Sequence, residues 1–83
     1  MENLRDQYQH QVSMVSVIKD HRRRRDLLKM LKTVDGILTE IDKESIRCRR
    51  LQHATVLYEA LVKKCKDQLQ VVDQYVLVST LIS

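Results

Sequence analysis

Apolar residues recur every three or four positions along most of this chain, which is the spacing of one face of an α-helix. From Leu27 onward, a seven-residue repeat places an apolar residue, a cysteine or a tyrosine at its first and fourth positions, with exceptions at Glu44, Thr55 and Ser79. A repeat sustained over this length is typical of a coiled-coil helix. The pattern therefore predicts a single helix over residues 27–75.

The repeat forms an apolar stripe that is wider than the two positions per heptad of a simple coiled coil. A wider stripe suits a helix in a bundle or in a multi-subunit assembly. We expect the stripe to bind partner helices, because each large apolar side chain removed from water contributes about 1.5–3 kcal/mol before ordering costs. The apolar stripe consists of Leu27, Met30, Leu31, Val34, Ile37, Leu38, Ile41, Cys48, Leu51, Tyr58, Val62, Cys65 and Leu69.

The first 19 residues contain a separate amphipathic pattern that is two residues out of step with the downstream repeat. They are predicted to form an N-terminal helix. Residues 20–26 lie where the two patterns meet and are predicted to form a basic junction, either a stutter, a kink or a short connector, with Asp20 or Asp26 as an N-cap. The apolar positions of the first pattern are Leu4, Tyr8, Gln11 or Val12, Val15 and Ile18.

Two further segments of the sequence affect where the helices are predicted to end. Gly36 stands in a turn-like Asp-Gly pair, but the repeat keeps its phase across it and one glycine costs a helix only about 1 kcal/mol, so the helix should continue through it. Residues 76–83 have no charge and are rich in β-branched side chains, so the helix should fray or stop near Tyr75. We interpret them as a truncated or alternative ending; the other interpretation is an apolar tail that docks on a partner.

The amino-acid composition of the chain favours a fold built from helices. The 83 residues include one glycine and no proline, tryptophan or phenylalanine, so the residues that make turns, and the largest rings that fill small cores, are scarce. We predict an all-α protein, a long amphipathic helix with or without a short N-terminal helix, in a coiled coil or bundle with partner chains. No run of about 20 apolar residues and no secretory signal is evident, so a cytoplasmic or nuclear location without a transmembrane segment is expected.

The chain offers no constellation of catalytic residues. Its histidines, His10, His21 and His53, have no serine or cysteine at a helical spacing that would make a nucleophile and base pair. Cys48 and Cys65 should be reduced thiols, roughly 25 Å apart on one helix and too distant to bridge within it. We therefore predict no enzyme activity, no cofactor and no metal site, since cysteine and histidine could become zinc ligands only through another chain.

Basic residues are concentrated in residues 19–25, with three more arginines in residues 47–50. Because a helix turns about 100° per residue, Arg22–Arg25 fan around nearly the whole circumference and cannot share one solvated face. We interpret the run mainly as a structural junction whose arginine side chains are either solvated or paired with residues of a partner. The functional alternatives are a nuclear import signal or an anion contact formed by Lys19, Arg22, Arg23, Arg24 and Arg25.

The predicted function is that of a non-catalytic coiled-coil subunit in a multi-subunit assembly, such as a vesicle-tethering or cytoskeletal complex. Mixed charge signs along the outside of the helix favour hetero-oligomers over homo-oligomers, and Glu44 within the repeat needs a cation such as Lys43 or Arg47 of a neighbouring strand. The alternative is a basic regulator that binds nucleic acid or an anionic membrane through the arginines. Nucleic acid is disfavoured, because no aromatic residues interleave the basic tract and it is only seven residues long.

Overall fold

The computed structural model describes residues 3–51 and 55–82, without the side chain of residue 82. It contains three helices: α1 (Leu4–Ser16), α2 (His21–Leu51) and α3 (Val56–Ile82). No strand occurs within the described ranges. The predicted all-α fold is confirmed.

The prediction of one helix over residues 27–75 is wrong. α2 ends at Leu51, α3 begins at Val56, and the two helices pack along each other as an antiparallel hairpin. The heptad pattern missed this because the apolar residues keep the same phase on both sides of the turn, and no proline or glycine marks it. Folding back allows the first half of the apolar stripe to cover the second half, so the chain needs no partner to bury most of it.

α1 lies against both long helices and completes a three-helix bundle of 48 × 18 × 17 Å. Its first turn is capped by Asn3, whose Oδ1 accepts the backbone N–H groups of Arg5 and Asp6 at 3.0 and 3.3 Å. Two side-chain contacts fix its position: the Arg5 guanidinium contacts the Asp42 carboxylate of α2, and Gln11 donates to Asp73 of α3 at 2.9 Å. α1 therefore runs beside α2 from Asp42 back towards the start of that helix.

The core is divided into two clusters of buried side chains along the bundle axis. The first, at the end where α2 begins, joins all three helices through Val15, Ile18, Leu27, Leu31, Val72 and Val76. The second, in the middle, contains Val34, Ile37, Leu38, Ile41, Cys65 and Leu69, with Leu4 and Tyr8 of α1 packed against it. Leu27 beside Val76 and Val34 beside Leu69 are the pairings expected of antiparallel helices.

The break between the two sequence patterns lies at residues 17–20, slightly before the predicted junction, and the arginines belong to α2. Asp20 is the N-cap, because its Oδ1 accepts the N–H groups of Arg22 and Arg23 at 3.0 and 3.2 Å. The N–H of Arg23, and after it that of Arg22, favours the ionised carboxylate and lowers the pKa of Asp20. The prediction of an N-cap here is confirmed for Asp20.

The helix continues through Gly36, as predicted, and a Cβ built there would meet no atom within 4 Å, so Gly36 faces open space. The expected end of the helix near Tyr75 is wrong, because α3 extends to Ile82. Val76 and Ser79 are buried in this last stretch, at 3% and 5% exposure. Their packing against the rest of the bundle outweighs the small helix-propensity cost of β-branched residues.

Candidate binding surfaces

Most of the apolar stripe lies inside the bundle. Eight members are buried in the two core clusters: Leu27, Leu31, Val34, Ile37, Leu38, Ile41, Cys65 and Leu69. Met30, Cys48, Tyr58 and Val62 are half-buried, and Leu51 is exposed. The chain's own helices thus cover the surface that sequence analysis assigned to a partner, so a partner could reach its buried members only if the bundle opened.

The end of the hairpin lies beyond the reach of α1. Because α1 begins at Leu4 beside Asp42, no third helix lies along residues 45–51 of α2 within the described parts of the chain. At the edge of this uncovered stretch, where α1 begins, an open groove lies between the start of α1, α2 up to Asp42, and α3. Its apolar lining is provided by Leu4, Leu38, Ile41, Tyr58 and Val62, four of which belong to the apolar stripe.

The hairpin tip, defined as residues 43–51 and 55–66, is predominantly basic. It contains seven cations, among them Lys43, Arg47 and Lys63, but only two carboxylates, Glu44 and Glu59. Lys43 pairs with Glu40 at 3.5 Å and Lys63 with Asp67 at 3.6 Å, and in both pairs the two side chains are more than half exposed. Solvent-exposed pairs of this kind contribute little to stability. Lys63, Lys66 and Arg5 line the groove together with the carboxylates of Asp42 and Glu59, so the groove has a small excess of positive charge, concentrated at the two lysines.

Glu44 is the polar residue that the heptad pattern marked as costly. It is 9% exposed, one carboxylate oxygen lies 3.7 Å from the Arg47 guanidinium, and the other is buried without a hydrogen-bond partner. The cation comes from the same helix rather than from a neighbouring strand, and 3.7 Å is longer than a hydrogen bond. A buried carboxylate satisfied on one side only weakens the packing of the tip.

The two cysteines lie on different helices, which corrects their predicted placement on one. Cys48, half-buried on α2, donates its thiol to Thr55 Oγ1 at 3.6 Å, and Thr55 in turn accepts the N–H of Tyr58 as the N-cap of α3. Cys65 is fully buried, and desolvation raises the pKa of its thiol. Both thiols are free. His53 belongs to residues 52–54, which lie outside the described ranges.

Comparison with known protein families, curated proteins and solved structures gives no match. In the described part of the chain, no helix is both long and apolar enough to cross a membrane. The same residues contain no group of three or more histidine, cysteine or acidic side chains that could hold a metal ion.

The arginine run is divided between inward and outward side chains. Arg24 donates to the carbonyl oxygen of Ile18 at 2.9 Å and contacts His21 at 2.6 Å, so it ties the connector to the start of α2. Arg23 is half-buried, with its Nε 3.8 Å from Asp20. Arg22 and Arg25 are exposed, and neither forms a salt bridge with a carboxylate of the described residues, although Arg22 lies close enough to Asp20 for its charge to favour the ionised carboxylate.

Exposed apolar side chains also occur at this end of the bundle, and apart from Val17 they belong to residues 76–83, for which docking on a partner was one of the two interpretations of the sequence. Val17, Leu77 and Leu81 are 69%, 58% and 76% exposed, and Val78 lines a groove together with Arg23. The signal was present in the sequence: Leu77 and Leu81 are four residues apart, so they share one helix face, but outside the phase of the apolar stripe. Their neighbours in residues 74–82 carry no charge.

Proposed function

We propose that the protein is a non-catalytic helical interaction module whose hairpin tip receives an amphipathic helix from a different protein. The observation that supports this most directly is the shortness of α1, which begins beside Asp42 and leaves an open groove at its start, between α2 and the Tyr58 end of α3. A helix laid in line with α1 would continue the three-helix layer. It would cover apolar stripe residues that remain half-buried, Tyr58 and Val62 among them.

Charge favours an acidic partner helix. The cations of the hairpin tip would repel a basic helix and attract one with glutamate or aspartate flanking its apolar face. In none of the chain's own three helices do carboxylates outnumber cations, so a second copy is a poor match. We therefore propose a hetero-oligomer. A vesicle-tethering or cytoskeletal assembly, in the cytoplasm or nucleus, is the proposed setting and rests on helical architecture alone.

Site-specific crosslinking in cells tests the proposal. Tyr58 is replaced by the photoreactive analogue benzoylphenylalanine, which has a similar shape, and Tyr75 is replaced in a matched control on the other flank of α3. We expect a discrete adduct from position 58, with the crosslinked peptide in an acidic amphipathic helix. Adducts that are equally abundant from both positions, or that map to a basic segment, would refute a specific site.

Charge reversal adds a second criterion. Lys63→Glu with Lys66→Glu should abolish the adduct from position 58, because both lysines line the groove. Lys29→Glu with Lys32→Glu makes the same change in charge at exposed positions away from the groove and should leave the adduct intact. Equal losses from both pairs would mean that net charge rather than the groove controls binding.

A second candidate function is the binding of an anionic ligand by the arginine run. It is favoured by one observation: the side chains of Arg22 and Arg25 are exposed and form no salt bridge within the described ranges. It predicts binding that weakens steeply with salt and is lost when both arginines become glutamine. The hairpin tip should play no part in it, because it lies at the opposite end of the bundle.

A further inference from the structure

We propose that the end of the bundle around the arginine run docks end-on to the surface of an anionic phospholipid membrane. The inference rests on the second candidate function and names its ligand. It starts from the arrangement of the four arginines. They fan around α2, but consecutive residues rise only 1.5 Å along a helix, so their Cα atoms lie within about 5 Å of one another along its axis. The four arginines therefore lie at nearly the same height along the bundle axis, but on different sides of α2.

Residues of α3 and of the connector after α1 lie at the same height along the bundle axis as the arginines. Val76 packs with Ile18 and Leu27 in one cluster, and Val78 and Ser79 line a groove with Arg23. The last turns of α3 and the connector after α1 therefore flank the first turn of α2. The three helices together form a blunt end rather than an elongated face.

This end combines exposed apolar side chains with a ring of cations. Val17, Leu77 and Leu81 are the apolar members, all more than half exposed. The last nine described residues of α3 add no charge of either sign. At a membrane surface, apolar side chains of this kind enter the interface between headgroups and acyl chains, while arginine stems reach sideways to the lipid phosphates.

The local charge balance favours an anionic surface. Residues 19–26 contain five cations and two carboxylates, and one of the carboxylates, Asp20, is already engaged by the N–H groups that it caps. Each cation near an anionic bilayer contributes roughly fivefold to binding, which is the factor that corresponds to about 1 kcal/mol. A lipid surface also covers Leu77 and Leu81, whereas a nucleic-acid backbone offers nothing apolar at this position.

Vesicle co-sedimentation of the full chain tests the proposal. The vesicles are phosphatidylcholine alone or phosphatidylcholine with about 30% phosphatidylserine, a composition that gives a negative surface potential. We expect binding to the second kind only, weakened by added salt. Binding to neither kind, or to both equally, overturns the proposal. Binding to duplex DNA without binding to vesicles would overturn it too, while leaving the broader anion-binding function in place.

Matched variants locate the contact. Arg22→Gln with Arg25→Gln should weaken vesicle binding about thirtyfold, whereas Arg22→Lys with Arg25→Lys, which keeps the charge, should retain most of it. Arg49→Gln with Arg50→Gln makes the same charge change at the opposite end and should alter binding by no more than roughly twofold. All four positions changed are exposed, and circular dichroism checks that helicity is unchanged. Equal losses at the two ends contradict docking by one end.

A tryptophan reporter tests orientation. The chain contains no tryptophan, so Leu81→Trp gives a unique fluorophore at the proposed contact and Leu57→Trp gives one at the hairpin tip. Anionic vesicles should shift the emission of Trp at position 81 to shorter wavelength and leave that at position 57 unchanged. A shift at both positions would mean that the bundle lies flat on the surface, and a shift at position 57 alone would place the contact at the wrong end.

Discussion

The two ends of the α2–α3 hairpin differ in what covers them. Where α1 lies across the hairpin, the stripe residues Leu31 and Val34 are 2% and 0% exposed, but at the tip Leu51 of the same stripe is 50% exposed, and Tyr58 and Val62 are only half-buried. Both ends have apolar residues at helical spacing. The difference shows that two helices cannot enclose a core by themselves, and that a short third helix decides which part of an apolar stripe becomes interior and which remains available for binding.

The largest expected effect is loss of a core side chain beneath α1. Leu31→Ala should reduce the free energy of unfolding by about 2–5 kcal/mol, because Leu31 is 2% exposed and the bundle can only partly collapse into the cavity. Leu57→Ala at the tip, where the side chain is half exposed, should stay within about 0.5 kcal/mol of wild type. Urea unfolding measures both, and equal losses would remove the distinction between the two ends.

A smaller effect of opposite sign is expected at the tip. Glu44→Leu should raise the free energy of unfolding by about 1 kcal/mol, since it removes a buried carboxylate oxygen that has no partner. Arg47 would be left without its partner but remains mostly exposed, so no buried charge is created. Glu40→Leu, at an exposed position on the same helix, is the control and should bring no such gain. A destabilised Glu44→Leu variant would mean that the carboxylate supports the tip.

The N-cap of α2 should make stability depend on pH. The cap lowers the pKa of Asp20 in the folded state, so its stabilisation is complete above the unfolded pKa of about 3.9 and is lost as pH falls through the folded pKa. Asp20→Asn retains the capping geometry but does not titrate. Relative to this variant, the wild type should lose Tm between about pH 5 and pH 2. Parallel Tm curves across that range would contradict the assignment, and Asp20→Ala should lower Tm at neutral pH.

The two thiols should report the difference between a half-buried and a fully buried position of the hairpin by a measurement other than unfolding. Cys48, half-buried near the tip, should react with iodoacetamide at least about tenfold faster than Cys65, which is fully buried and whose pKa is raised by desolvation. Cys65→Ala and Cys48→Ala isolate the two rates. The rates should converge in concentrated urea, and a faster Cys65 in the native protein would place it outside the core.

Sequence periodicity predicted which residues are helical better than it predicted where the helices end. The helical class, the helix through Gly36 and the cap at Asp20 depend on local chemistry, and the structure confirms them. The heptad pattern did not reveal the break between α2 and α3. The two halves of the apolar stripe pack against each other, and the apolar residues keep the same heptad phase in both helices. The exposure of a stripe residue such as Leu51 or Leu69 depends on how far α1 extends along the hairpin. That extent is set by tertiary packing, which a short window of sequence does not reveal.

The accessible surfaces of the bundle differ from the predicted binding surface because the apolar stripe folds back on itself. The apolar stripe is the binding surface predicted from the sequence, but folding buries its central members. What remains accessible is the edge of the stripe at the tip and a separate set of apolar residues, Leu77 and Leu81, at the basic end. Those two residues belong to no long repeat, so a search for heptads passes over them.

The distance between α2 and α3 tests the hairpin most directly. Spin labels are placed by Lys32→Cys and Gln70→Cys, at exposed positions, in a chain with Cys48→Ala and Cys65→Val, and the labelled protein is diluted with unlabelled chain. The hairpin predicts a label separation below about 30 Å, since packed helices lie 8–10 Å apart and the labels extend outward. A separation near 57 Å, the length of a continuous helix between these positions, would contradict it.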